Sequence, residues 1–569
     1  MKNNERLDNI RHSAAHLLAQ AVLELYPDTK LTIGPTTENG FFYDFLPLQN
    51  FKEEDLSKIE NKMHELSKKN YPIIGKQVSK EEARKLFAGN EFKQELLDGI
   101  ADGTVGVYSQ GDFYDLCKGG HVESTGQIKY FKLTSLAGSY WRAERDNAAL
   151  QRIYGIAFET QNDLDLYLKR LEEAKLYDHR RLGKQLDLFS FHEEAPANVF
   201  FHDKGTRIFN KLIERLRKMQ YREGYQEIKT PMIMKEVLWR TSGHYDNYKE
   251  NMFFTKADED IYCVRPMNCP GGVLLFKEKQ RSYKELPLKM AEFGFVHRLE
   301  LSGVLHGLFR VRGFTQDDAH IYCTQEQMVD QVVQVIDLID RLYKPFNFTE
   351  ILMAVSTRPE KAMGSDQLWE KATNALKEAL DKKGLKYRIK EGEGAFYGPK
   401  IEVAIKDSMG REWQCGTVQV DFNLPQNFKL EYIDSDQSRK TPIMIHRALY
   451  GSIERFMGVV IEHLKGNFPF WLAPIQVRIL TITDQQKDYA KKVFEKMLES
   501  GLYVEIDESG DQISKQIKMA QEQKIPWMLV IGKKEEENGT VTLRHADGKQ
   551  EFDLNLDELI AKALELNKL

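Results

Sequence analysis

A chain of 569 residues, 41% hydrophobic and 29% charged, is too long for one ordinary core and is expected to fold as three or more domains. Its formal net charge of −5 excludes a globally basic nucleic-acid binder, so an RNA partner would have to use local basic patches. Five cysteines, few and odd in number, argue against a disulfide framework and for a reduced, cytoplasmic setting in which a special cysteine serves as ligand or nucleophile.

The start, MKNNERLDNIRHS, is polar and lacks the apolar core of a signal peptide, and no apolar run reaches the length of a membrane span. Residues 11–25 carry apolar side chains at helical spacing, and Pro27 helps to end that helix. His12 and His16 stand four apart on it, so both imidazoles project from one face. Cys117 and His121 follow in DLCKGGHVEST, where Gly119 and Gly120 predict a tight turn. Two histidines at helical spacing together with a Cys/His pair have the composition of a metal or hydrolytic site. Ordinary surface histidines are the plain alternative, and the second pair weakens it. Residues 161–182 are highly charged with apolar residues at helical spacing, as in a helix connecting two domains. Its basic end, His179 to Lys184, is either an RNA contact or a solvated face.

From 183 to about 467 the pattern is mixed. A helix is expected over 205–223, then a strand over 224–230 leading to Pro231, then Ser242-Gly243-His244 and the stretch RPMNCPGG at 265–272. The segment FGFVHRLELSGVLHGLFRVRGFTQDDAHIY, 293–322, predicts two strands joined by a glycine-containing loop at 302–307. It holds Arg298, Arg310 and Arg312, followed at once by Gln316, Asp317, Asp318 and His320. Strand residues of one parity share a face, so guanidinium groups are expected to floor a site for phosphate or carboxylate. A solvated charged hairpin is the bland reading; the interleaving of Arg, Glu, Gln, Asp and His with aromatics and glycines argues against it. A helix over 325–344, strand alternation within 384–423, and a strand at 442–447 turning into a helix at 451–456 complete this part. The tail, 468–569, alternates strand-like and helix-like segments as a small α/β domain does. It carries no nucleotide-binding glycine motif, which favours binding over catalysis.

Taken in order, these pieces closely resemble the threonyl-tRNA synthetases of bacterial type, class II aminoacyl-tRNA synthetases, over nearly the whole chain. The class features are the strand ending at Pro231, the hairpin with its pair Arg298 and Glu300, and Gly451-Ser452-Ile453-Glu454-Arg455. Tighter are MNCPGG, DDAHIY, WQCGTVQVDF and MIHRALYGSIERF. The resemblance implies an α+β multidomain protein: an N-terminal α+β editing domain (1–160), the connecting helix (161–182), an antiparallel-sheet class II catalytic domain (183–467) and a C-terminal α/β anticodon-binding domain (468–569). The family usually carries a small ubiquitin-like domain ahead of the editing domain, and this sequence is expected to lack it.

By the same resemblance, Cys269, His320 and His446 bind one Zn²⁺ per subunit, and Mg²⁺ accompanies ATP. Three N/S ligands with an open fourth position suit a zinc that handles substrate. Arg298 is expected at the α-phosphate and the threonine carboxylate, Arg310 on the phosphates, Glu300 on the adenine amino group, and Phe314 with Arg455 around the adenine ring. Gln316, Asp318 and Tyr397 are expected around threonine, and His244 near the terminal ribose, assisting aminoacyl transfer. An apolar pocket discriminates valine from threonine poorly, whereas a metal that takes both the amino group and the hydroxyl leaves valine one ligand short. Serine lacks only a methyl, worth about 1–3 kcal/mol, so it slips through and has to be edited. His12, His16, Cys117 and His121 are then the editing residues hydrolysing Ser-tRNA, with Asp115, Lys93 and Tyr43 assisting and no metal assigned. The implied partners are tRNA(Thr), threonine and ATP in a cytoplasmic homodimer without a membrane role. Trp527, Tyr503 and Arg478 are candidate RNA contacts. Three other readings compete: a prolyl or seryl synthetase; an RNA-binding regulator on a synthetase-like fold, against which the intact Arg298, Glu300, Arg455 set and the Cys269, His320, His446 triad count; and a free-standing editing protein, which the large second domain makes superfluous.

Overall fold

The structure is a computed structural model that describes residues 2–568 apart from 102 and 145. The chain divides into two compact units, Met1–Glu172 and Glu173–Leu569. No helix among the described residues is long and apolar enough to cross a membrane.

In the first unit the helix Lys2–Leu25 buries Ile10, Ala14, Leu17, Leu18, Ala21 and Val22, a stripe at helical period. That stripe shares a core with Phe41, Tyr43 and Phe45 of the strand Gly40–Leu46 and with Ile153 and Ala157 of Ala149–Phe158. The sheet runs Lys30–Leu31, Gly40–Leu46, Ala149–Phe158, Tyr130–Tyr140, all antiparallel, with Thr36–Thr37 paired to the second strand. A smaller antiparallel sheet, Ile73–Ser79, Thr104–Gln110 and Phe113–Leu116, leads into the Cys117 turn.

The expected connecting helix is two helices, Gln161–Leu176 and His179–Gln185. The break has a local cause. Asp178 leaves helical geometry and its carboxylate caps the Arg180 N–H, starting a new helix.

The second unit is organised on an eight-stranded sheet in the order Gln226–Glu227, Leu288–His297, Gly313–Cys323, Ile443–Ser452, Glu412–Asp421, Lys400–Lys406, Glu350–Ser356, Tyr387–Lys390. Its inner pairings are antiparallel and both edge pairings are parallel. Helices Asp203–Arg222, Met328–Tyr343, Asp366–Lys382 and Ile453–His463 bury their apolar stripes with Ala319, Ile321, Val418, Val420, Ile443 and Ile445 of the sheet. Strand side chains alternate, so the other face of the same three strands carries Gln316, Asp318 and His320, then Thr417 and Gln419, then His446 and Ala448. The strand expected to run to Pro231 stops at Glu227, although the Ile228 N–H still donates to Ala291 O at 2.8 Å.

The C-terminal sheet runs Val504–Ile506, Val477–Thr481, Trp527–Ile531, Thr540–His545, Gln550–Asn555. Its first three strands are parallel, as the alternation predicts; the last two form an antiparallel hairpin followed by the helix Leu556–Leu566, which the sequence reading did not resolve.

Candidate functional sites

The strand Gly313–Cys323 organises the first site. It pairs without interruption with Leu288–His297, which keeps Phe314, Gln316, Asp318 and His320 on one face. Against Ile443–Ser452 the register shifts, Gln316 opposing Ser452 while Asp318 opposes Ala448, so the neighbouring strand bulges at 449–451. Asp317 points the other way and serves that bulge. Its Oδ2 accepts from Leu449 N at 2.8 Å and Tyr450 N at 3.1 Å, and its Oδ1 from Gly451 N at 2.8 Å. Gly451 holds φ +83, and a Cβ there would lie 2.5 Å from Cys415 O, so only glycine closes this bulge without strain.

Above this face lies a cavity of about 670 Å³ lined among others by Arg298, Glu300, Arg310, Phe314, Gln316 and Arg455. The arginines do not stand on strand faces as expected. The strands end at His297 and resume only at Gly313, so Arg298, Glu300, Arg310 and Arg312 all sit on the intervening loop. Glu300 Oε2 accepts from Arg310 at 3.0 Å, and the Glu300 carbonyl accepts from Arg312 Nε at 3.1 Å. Arg298 donates to Pro266 O at 3.2 Å and lies 5.1 Å from the centre of the Phe314 ring. Arg455 lies in the first turn of the helix Ile453–His463, its N–H capped by Ser452 Oγ at 3.1 Å; its Nε is buried without a hydrogen-bond partner among the described residues. Beside it Glu454 accepts Thr315 N at 2.9 Å, and burial pushes its carboxyl up to about 7.

Beyond the cavity, Cys269, His320 and His446 converge, one ligand atom of each within 4.8 Å of the others. Cys269 opens the helix Cys269–Lys277, while His320 and His446 face each other in register across adjacent strands. All three are buried. The donor set fits a thiophilic divalent ion such as zinc. His320 Nε2 is a buried nitrogen with no hydrogen-bond partner among the described residues, and burial drives the uncharged forms, the His320 proton affinity well down and the Cys269 thiol well up. His446 Nε2 meets Asp421 Oδ2 at 2.9 Å, which orients the ring.

Asp318 takes Asn268 Nδ2 at 3.2 Å, and burial raises its carboxyl to about 6. Tyr397 donates to Gln419 Oε1, and its ring lies 5.0 Å from that of His446. Gln316 turns a buried, unpartnered Oε1 into the site. His244 is fully buried, with Ser242 Oγ at 2.7 Å from Nδ1, Met267 Sδ at 3.0 Å from Nε2 and Cys269 Sγ at 3.8 Å. Burial, then the charges of His446 and Arg298, lowers its pKa to about 3, so it is a neutral imidazole. Sequence reading missed Asn268, Gln419 and Asp421, and named Asp317 without a role. Gln419 and Asp421 were within reach, because they continue the alternation of WQCGTVQVDF.

In the first unit His12, His16, Cys117 and His121 converge with ligand atoms within 4.8 Å of one another. Gly119 and Gly120 hold φ +112 and +85, the turn the sequence predicts. Cys117 Sγ lies 3.1 Å from His121 Nε2 and 3.4 Å from His12 Nε2, and accepts Gly119 N at 3.3 Å. Burial lowers the pKa of all three histidines, His121 to about 2, so the cluster is uncharged at neutral pH. The adjoining cavity of about 980 Å³ is also lined by Lys93 and Asp115. These two form a buried ion pair at 2.5 Å, and Tyr43 Oη donates to Asp115 Oδ2 at 2.6 Å.

The candidate RNA contacts fare differently. Trp527 is buried against Phe470, Arg478 is held by Glu505 at 2.6 Å, and Tyr503 lies beneath Arg207 at 4.6 Å. Trp527 and Arg478 therefore belong to the packing of the C-terminal domain. His179, the first residue of the basic run, is also fully buried.

An antiparallel sheet that carries a loop arginine at one end and a motif Gly-Ser-Ile-Glu-Arg at a strand-to-helix junction, with an α/β domain following, defines a class II aminoacyl-tRNA synthetase. The comparisons agree. Residues 252–464 match the class II tRNA synthetase core domain (G, H, P, S and T), 476–566 the anticodon binding domain, and 105–154 the threonyl and alanyl tRNA synthetase second additional domain. A threonine–tRNA ligase of Clostridium botulinum strain Hall is 52% identical over 97% of this chain and 87% of its own length. One from Carboxydothermus hydrogenoformans is 50% identical over 99% of this chain and 90% of its own. The solved RNA binding domain of threonyl-tRNA synthetase from Cryptosporidium parvum superposes with a TM-score of 0.67 at 42% identity, covering 68% of this chain and 98% of that one. The chain belongs to the threonine–tRNA ligases.

Proposed function

We propose that the cavity over Gly313–Cys323 holds ATP and threonine in the two halves that the strand itself connects. The chain is a threonine–tRNA ligase, joining threonine to tRNA at the expense of ATP, which class II synthetases use with Mg²⁺. Its second additional domain fits the editing of mischarged tRNA. The observation that carries the finer reading is the single-face row Phe314, Gln316, Asp318, His320, which runs from the arginine-lined cavity to the Cys/His/His cluster.

Arg298 and Arg310 neutralise phosphate charge, and positioning with charge neutralisation is most of what adenylate formation asks of a protein. Phe314 and Arg455 hold the adenine ring between them, and Glu300 takes its amino group. Gln316, Asp318 and Tyr397 orient threonine, Asp318 facing its ammonium group. His244, kept neutral by burial, stands beside the threonine site and has a nitrogen to pass a proton during transfer. Cys269, His320 and His446 would hold Zn²⁺, which when bound supplies a Lewis acid that takes the amino group and hydroxyl of threonine and so excludes valine. His12, His16, Cys117 and His121, with Lys93, Asp115 and Tyr43, hydrolyse Ser-tRNA. Domain limits of 1–160, 161–182, 183–467 and 468–569, a homodimer and a cytoplasmic location complete the reading.

Metal analysis joined to threonine-dependent ATP–pyrophosphate exchange tests it. About one zinc per chain is expected, lost together with exchange in Cys269→Ala. Fully active protein without zinc would overturn the reading.

A further inference from the structure

His179 has been given no part in either site, yet its ring is fully buried and both of its nitrogens are engaged. It is the first residue of the helix His179–Gln185. Nε2 accepts the Leu308 backbone N–H at 2.9 Å. A nitrogen that accepts carries no proton, so the proton sits on Nδ1, which donates to Glu462 Oε1 at 2.6 Å. The same carboxylate oxygen takes the His179 backbone N–H at 2.9 Å, and its other oxygen takes Arg411 at 2.5 Å. Asp178, His179 and Glu462 have the residue types of a metal site, but with both imidazole nitrogens spent on protein partners the ring has no lone pair to offer.

Leu308 belongs to the loop between His297 and Gly313, and its neighbours His306, Phe309 and Arg310 line the cavity assigned to ATP. The loop closes tightly here: Arg310 N donates to His306 O at 3.3 Å and His306 N to Arg310 O at 3.1 Å. The His179 ring lies 4.2 Å from that of Phe309, tilted by 51°, and Phe309 in turn lies 4.1 Å from Trp413. Gly307 packs on the imidazole so closely that a Cβ would come within 2.2 Å of Nε2. Glu462 stands on Ile453–His463, the helix whose first turn carries Arg455. One imidazole thus ties the loop that carries Arg310 to the helix that carries Arg455.

We infer that His179, oriented by Glu462, is a positioning residue for the ATP loop: through Leu308 it sets where Arg310 and Phe309 stand relative to Arg455. This rests on the assignment of that cavity to ATP.

The test is threonine-dependent ATP–pyrophosphate exchange with KM measured separately for ATP and threonine. His179→Ala leaves the Leu308 N–H unpaired and is expected to raise the ATP KM about tenfold, with the threonine KM within about twofold. Two polar replacements divide the role. In His179→Gln the amide oxygen reaches the Nε2 position and accepts from Leu308, so ATP KM should return most of the way. In His179→Asn the amide reaches only the Nδ1 position and faces Glu462, so ATP KM should stay high. If His179→Ala does not fold, the Gln and Asn variants carry the comparison alone. Equal ATP KM values for Gln and Asn, or equal rises in both KM values, would overturn the inference. Arg310→Ala, measured beside them, separates the two levels: no rise in ATP KM there rejects the ATP assignment itself, whereas a rise there with none in the His179 variants rejects only the positioning role.

Discussion

Lys93→Met perturbs the cavity proposed for editing at the point where structure and function can be told apart. Lys93 and Asp115 are each 3% exposed in their side chains and 2.5 Å apart, and Lys93 Nζ also donates to Tyr43 Oη at 3.2 Å. Methionine nearly matches lysine in volume, so little packing is lost. What remains is a buried carboxylate whose partners are the Tyr43 hydroxyl and the Leu116 N–H at 2.8 Å. Removing one member of such a pair costs about 3–5 kcal/mol. Adding Asp115→Asn should recover most of that, because the amide oxygen can still accept Leu116 N while its NH₂ donates to Tyr43 Oη. Denaturation midpoints and Ser-tRNA hydrolysis are measured on the same preparations, with threonine charging as the control. The single variant should lose stability and hydrolysis; the double variant should regain stability and remain unable to hydrolyse. Normal stability in the single variant, or hydrolysis restored in the double, refutes the assignment of this pair to editing chemistry.

Gly451→Ala forces a left-handed residue and a contact with Cys415 O, a backbone cost of about 1–2 kcal/mol before the clash; threonine-dependent exchange should fall at least about tenfold, and wild-type exchange would contradict the role given to the bulge. Ser13 Oγ lies 3.1 Å from His121 Nδ1 and accepts Val122 N at 3.1 Å; Ser13→Ala should slow Ser-tRNA hydrolysis while leaving charging intact, and unchanged hydrolysis would show that His121 is oriented by other means. Burial, followed by His16 and His12, holds His121 at about 2, far below its unfolded value of about 6.5. The unfolded chain therefore takes up a proton that the folded chain refuses, and stability is complete above about pH 6.5 and lost as pH falls, by up to about 1.4 kcal/mol per pH unit for one proton. Melting temperature should drop from pH 7 to pH 5, with a flatter dependence in His121→Gln; an identical dependence would refute this.

The sequence made the first site legible where side chains alternate along strands. DDAHIY places Asp318 and His320 on one face by period alone, and the structure keeps them there. The tight turn at Gly119 and Gly120 was equally readable, because positive φ is what glycine supplies. The arginine floor was not. Leu308, Phe309 and Val311 read like a strand, but in the folded loop Phe309 packs against His179 and Trp413, Leu308 N bonds His179, and Val311 joins Val296 and Phe314, tertiary effects that override the local pattern. The Cys269, His320 and His446 cluster joins residues far apart in sequence, which no spacing rule detects and only the family resemblance suggested. His179 shows the opposite error. Set in a basic run, it read as surface, yet Glu462, 283 positions away, claims it for the core.

The strand Gly313–Cys323 has a bearing on which changes of chain length this protein can accept. Because Phe314, Gln316, Asp318 and His320 share one face at a rise of about 3.3 Å per residue, the distance from the proposed nucleotide site to the proposed metal ligands is written as a count of residues, roughly 20 Å over six steps. Losing or gaining one residue between Phe314 and His320 would turn half of that row into the hydrophobic core and bring Thr315, Asp317 or Ala319 to the substrates. The stretch therefore tolerates exchange of side chains but not of length. The loop from Arg298 to Arg312, a few residues upstream, is bound by no such parity, and insertions there need only preserve its ends and its anchor at Leu308.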